Sequence, residues 1–220
     1  MPIHNEFEDA KNIRPWKDDR ESKAVQKIEQ YWERLRGSRL LPSRSEVDPR
    51  ELEGVLGNAF ILERIAPGLA RFRIAGSHIV EFTGLELRQM PASVLFGIHS
   101  RQVLAEAMEA VFDEPAAVFM QLTSGGGFAQ KALQGEMVLL PLRSDTGEVS
   151  RVLGGIAMQA AVGGKPRRLE ITRQSRKTLT GFAGPGQGGP KPRVISRSPN
   201  PVPSERPTSA HLRLVVSNDE

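Results

Sequence analysis

Four histidines, His4, His78, His99 and His211, are the residues of this chain best suited to hold a metal or move a proton. No two lie at a ligand spacing such as HxxxH, and there is no cysteine to complete a site. A metal centre is therefore not expected, and neither is a disulfide, a thiolate nucleophile or an iron–sulfur cluster. Gly125-Gly126-Gly127 lacks the GxxxxGK[ST] pattern of a phosphate loop and reads as a turn between strands, with no helix N-terminus for an anion. Glu51, Glu53, Glu106, Glu109, Asp113 and Glu114 fall in helical segments as solvated charge. Spacing assembles no Ser-His-Asp set. Activity has to be argued from a site, so the chain reads as a non-enzyme.

Charge and composition divide the chain. From Gly164 onward there are 11 Lys/Arg against 4 Asp/Glu and half of the 16 prolines, so the basic pI belongs to the tail. Residues 163–220 are expected to form a mostly disordered basic tail, with a short ordered piece possible near Leu169 to Leu179. The tail holds Phe182 as its one aromatic, so base stacking is not supported, and the body before it is slightly acidic. Nucleic acid is an improbable partner on these grounds. Residues 1–20 read as a loose arm without the apolar stretch of a signal peptide, and no apolar run is long enough to span a membrane. A cytoplasmic location is the expectation.

Between arm and tail the pattern alternates in type. Ser22 precedes a helix whose stripe is Val25, Ile28, Trp32 and Leu35, closed by Gly37. Asp48-Pro49 starts a short helix, with Glu51 placed for a capping box. AFILERI (59–65) and ARFRIA (70–75) read as a hairpin around Pro67-Gly68, with Phe72 and Ile74 on one face and Arg71 and Arg73 on the other. Ser77 to Gly84 reads as a short helix, and Ser100 is expected to cap a longer one, Arg101 to Phe112, which His99 precedes. Three strands follow. The last two form a hairpin around Ser144-Asp145-Thr146-Gly147. Pro141 lacks an N–H and should occupy a strand end, an edge or a bulge. Gly154-Gly155 should mark a bulge or a close packing contact.

The runs LRGSRLLPSRSEVDPRELEGVLGNAFILERI and FRIAGSHIVEFTGLEL and the LLPLRSDTGEV hairpin together resemble the alphaproteobacterial PAS_5 family, formerly a domain of unknown function. The shared features are structural: Leu-Pro after the first helix, the Asp-Pro cap, the glycine after the second strand and the Pro-Leu of the hairpin. The resemblance implies an α+β, PAS-like five-stranded antiparallel sheet with helices on one side, over residues 21–162. It implies a sensory or protein-interaction module without enzyme activity. Haem-binding PAS domains carry an axial histidine on the long helix, and light-sensing flavin PAS domains need a cysteine; neither cofactor is expected here.

By the same resemblance, a ligand cleft would lie between the sheet and the short helices, lined by Phe72, Ile74, Phe82 and Met108, with His78 as the nearest titratable group. Such a lining suits a small ligand or a plain core. The first-helix stripe, Val25, Ile28, Trp32 and Leu35, either packs on its own sheet or pairs with a second copy. A homodimer contact is the expectation, because a tryptophan on an incompletely covered face anchors interfaces. The functional expectation is a non-enzymatic regulatory module whose signal leaves through contact with a protein not yet known. The alternatives are a dedicated small-molecule binding protein and a nucleic-acid accessory protein using the basic tail.

Overall fold

The computed structural model describes residues 22–124, 132–159 and 168–181. The arm, the Gly125–Gly127 turn, His4, His211 and the tail beyond residue 181 lie outside the described residues. Three α-helices, α1 (Lys23–Arg36), α2 (Ser77–Thr83) and α3 (Ile98–Phe112), flank strands β1 (Ala59–Ala66), β2 (Leu69–Ala75), β3 (Ala116–Ser124), β4 (Leu133–Arg143), β5 (Val149–Met158) and β6 (Leu169–Thr178). All pairings are antiparallel, in the order β2-β1-β5-β4-β3-β6.

The sheet has six strands rather than the expected five, and it runs past residue 162. The extra strand β6, LEITRQSRKT, pairs along β3 at the sheet edge. It is half-exposed and carries Arg173, Arg176 and Lys177, which suits an edge that must not recruit another strand. Leu169 is the one buried residue of the strand, and Leu179, just after it, is buried too. Ser100 holds β6 in place. Its hydroxyl donates to Glu170 and accepts from the Ile171 N–H at 2.8 Å. Ser100 is therefore not the cap of α3, which begins earlier, after Gly97.

Helices cover both faces of the sheet, not one. On the inner face, α2, α3 and the turn Ala92–Leu95 bury Phe60, Leu62, Phe72, Val118, Met120, Met137, Leu139, Val152 and Ile156. On the outer face, α1 and the turn at Pro49–Leu52 cover Ile61, Ala117, Val138, Leu140, Leu142 and Leu153. Strand β4 is thus apolar on both sides, which is why MVLLPL reads as a continuous run without alternation.

Local signals account for the ends. The Ser22 hydroxyl accepts from Val25 N, and Gly37 at φ +57° closes α1. Asp48 accepts from Arg50 N, and Pro49 takes the first helical position. Glu51 instead pairs with Arg34 at 3.0 Å, and the capping box is formed by Ser43 and Glu46. Gly147 at φ +86° closes the β4–β5 turn. Pro141 sits past the last β3–β4 pair, Val118–Leu139, so its missing N–H costs no ladder bond on that side. Gly154 and Gly155 are packing contacts, one per face: a side chain on Gly154 would run into the Phe60 ring, and one on Gly155 into Ile28.

Candidate functional site

The cleft between the inner face and the short helices is filled by the protein's own side chains. Phe72 and Met108 are each 1% exposed and belong to the main core. Phe60 meets Phe72 edge-to-face with centroids 5.6 Å apart. Phe82 is half-buried against the same cluster. His78 stands outside it, exposed, with its Nδ1 donating to Asn58 Oδ1 at 3.1 Å; Asn58 in turn donates to the Ile156 carbonyl at 2.9 Å. A cavity of about 150 Å³ remains between β2, α3 and the Ala92–Leu95 turn, lined by Leu69, Ala70, Leu104, Ala105 and Met108 among others.

Ile74 does not join this lining. The register passes from Ile61–Ile74 to Leu62–Phe72, so Arg73 is an extra residue in β2. This bulge turns Ile74 to the outer face beside Ile61, where it is 50% exposed. Of the expected site residues, Phe72, Phe82 and Met108 share the inner core, while Ile74 and His78 lie apart from it. His99 does not precede the long helix: α3 starts at Ile98 and holds His99 in its exposed first turn.

The first-helix stripe is covered within one chain. Val25, Ile28 and Trp32 are fully buried on the outer face, and Leu35 packs against the same cluster. The stripe is therefore not available as a dimer contact while α1 is docked. The helix avoids the arginines of β2 by sitting over β4 and β5 instead.

The rest of the outer face is polar and open. Glu63 of β1 pairs with Arg71 on one side and Arg151 on the other. Arg71 Nε and Nη2 both donate to Glu63 Oε2, at 2.9 and 2.7 Å. Arg151 reaches Oε1 at 2.8 Å, and Arg73 approaches Oε2 at 3.5 Å. The Arg71 hydrogen bonds lower the Glu63 pKa; burial works against this, and the charges of Arg151 and Arg73 reinforce it. Beside this cluster lies an open groove of about 410 Å³ lined by Arg44, Arg73, Arg88, Arg151, Asp145, Gln89, Ser45, Ile61 and Ile74. Arg44 and Arg88 make no ion pair with a described residue. Gln89 is at φ +69°, the one non-glycine residue with positive φ among the described residues. Sequence reasoning missed this convergence. Arg151 inside an otherwise apolar strand was a signal, but nothing marked the bulge.

The sequence model of the PAS_5 family, described as a PAS domain, matches residues 20–157. The chain belongs to the PAS domain family. Among solved structures, this PAS domain is similar to the light-state structure of the LOV domain of the blue-light photoreceptor Aureochrome1. That match has 12% identity and a TM-score of 0.36, and it covers 50% of this chain and 88% of that one. It is also similar to an RNA-binding Light-Oxygen-Voltage receptor, with 17% identity, a TM-score of 0.34, and coverage of 53% of this chain and 35% of that one. No match among curated proteins was found. Membership in the PAS family makes the chain a sensory or regulatory module in the general sense, and PAS domains are generally sensory rather than catalytic. Among the described residues there is no group of three or more potential metal ligands, and no helix is long and apolar enough to cross a membrane.

Proposed function

We propose that this PAS domain is a non-enzymatic regulatory module that passes its signal on by contact with another protein. The observation that supports this reading is the packed cleft. Phe60, Phe72, Leu104 and Met108 occupy the space between sheet and helices, and the cavity beside Leu104 and Met108 holds about 150 Å³. Pockets for drug-sized ligands run from about 300 to 1,000 Å³. An interior ligand would have to displace core side chains that the fold needs. A regulatory output is then carried by the surface.

The test is native mass spectrometry of the full chain, followed by affinity capture from its own cells and reconstitution of the captured pair from purified components. The expected result is a mass equal to the polypeptide and a stoichiometric complex with one partner. A mass excess carried through purification, removed when Met108→Trp fills the remaining space, would overturn this reading in favour of a small-molecule binding protein.

A further inference from the structure

The outer-face groove has a chemistry that the partner-contact reading does not use. Five guanidiniums, from Arg44, Arg71, Arg73, Arg88 and Arg151, gather around two carboxylates, Glu63 and Asp145. Glu63 already serves three of them with its two oxygens. Arg44 and Arg88 have no carboxylate partner among the described residues. Like charges held together repel, so the arrangement costs free energy that a bound anion would recover.

Two backbone features hold the arginines there. The bulge at Arg73 puts Arg73 and Ile74 on the outer face together. The strap carrying Arg88 is bonded to the edge of β2: Phe72 N donates to Met90 O at 2.9 Å, and Gln89 N donates to Phe72 O at 2.8 Å. The strained Gln89 lies in this strap and lines the groove. Strain kept at a groove lined by converging charges points to binding.

We infer that the groove is a binding site for a small soluble organic phosphate carrying two or more phosphate groups. Guanidinium is the group of choice for phosphate, because its planar fork offers paired donors and stays charged. The groove, about 410 Å³, is larger than a single anion requires and falls within the small-molecule range. Ile61 and the half-exposed Ile74 supply an apolar wall for the organic part, and Ser45 and Asp145 offer polar contacts beside it. This site lies on the opposite side of the sheet from the packed cleft, and its occupancy does not depend on a protein partner.

The experiment titrates ADP and inorganic pyrophosphate into the full chain at constant ionic strength, read by calorimetry and by melting temperature. A saturable response to either probe at sub-millimolar concentration is expected. Arg44→Glu and Arg88→Glu should each weaken it at least tenfold, and their melting temperatures without probe should stay at or rise above the wild-type value, because neither side chain is paired and each reversal relieves repulsion among the remaining arginines. Arg44→Gln and Arg88→Gln should weaken it less than the charge reversals. No saturable response to either probe, or a response that persists in the Arg44→Glu/Arg88→Glu double variant, would overturn the inference. So would sedimentation with phosphatidylglycerol vesicles in place of a response to the soluble probes.

Discussion

The indole Nε1 of Trp32 donates to the carbonyl oxygen of Pro141 at 3.0 Å, with both residues buried. The contact ties the outer helix to the strand at the point where β3 has stopped pairing with β4. The carbonyl there needs a donor, and Trp32 provides one while its ring fills the outer core. Trp32→Phe keeps most of the volume and leaves the acceptor unpaired, which should cost about 1–3 kcal/mol. Trp32→Ala should cost about 3–5 kcal/mol by adding a cavity. Urea unfolding would measure both. If Trp32→Glu gave a fully stable, soluble protein, α1 could not be packed as described.

Gly154 and Gly155 make a second test of the two-faced sheet, because each carries one face's packing. Gly154→Ala would place a methyl against the Phe60 ring, a rigid group fixed by Phe72. Gly155→Ala would meet the Cδ1 of Ile28 at 2.6 Å, the movable end of a flexible side chain. Gly154→Ala should therefore be the more damaging, by an amount in the overpacking range of about 1–3 kcal/mol or above. Ile28→Val should partly rescue Gly155→Ala and leave Gly154→Ala unchanged. Equal costs and cross-rescue in thermal melts would contradict this assignment of faces.

The bulge at Arg73 separates two residues that strict alternation places together. Phe72→Ala should destabilise by about 3–5 kcal/mol, since the ring is fully buried. Ile74→Ser should change stability by no more than about 0.5 kcal/mol, since Ile74 is half-exposed on the outer face. Comparable large losses from both substitutions would restore the unbulged register.

Much of the fold was legible because its devices are local. Ser22, Gly37, Asp48-Pro49 and Gly147 act within one turn of themselves, and each does in the structure what its residue type permits. The glycine after β2 is also explained: a side chain on Gly76 would collide with the backbone of Leu56 and Gly57. What was not legible depended on register or on distant partners. The ordered piece near Leu169 to Leu179 was expected, but its being a strand of this sheet was not: β6 has few apolar residues and exists through its pairing with β3 and the Ser100 contact. The bulge at Arg73 leaves no mark in RFRI. The groove gathers its arginines from four separate segments, and the slightly acidic charge of the body as a whole conceals a locally basic face.

Glu63 should make the domain sensitive to acid. Its carboxyl has a lowered pKa in the folded protein, first through the Arg71 hydrogen bonds, against the opposing effect of burial, and then through Arg151 and Arg73. In the unfolded chain it returns to the ordinary glutamate value, about 4.3. The unfolded state therefore binds this proton more readily. The stability from Glu63 is fully present above the unfolded value and is lost as pH falls through the lower, folded value. Glu33 acts in the same direction: burial pushes it up, but the hydrogen bond and charge of Lys177, with Arg36, outweigh that and leave it lowered. Glu63→Gln should reduce stability at neutral pH and flatten the acid limb, so that variant and wild type converge as pH falls through the lowered folded value, below which both carry a neutral side chain. The measurement is unfolding free energy in urea between about pH 2.5 and 7. A constant gap between the two curves across that range would mean that the Glu63 charge contributes nothing, and that the loss in the variant comes from geometry alone.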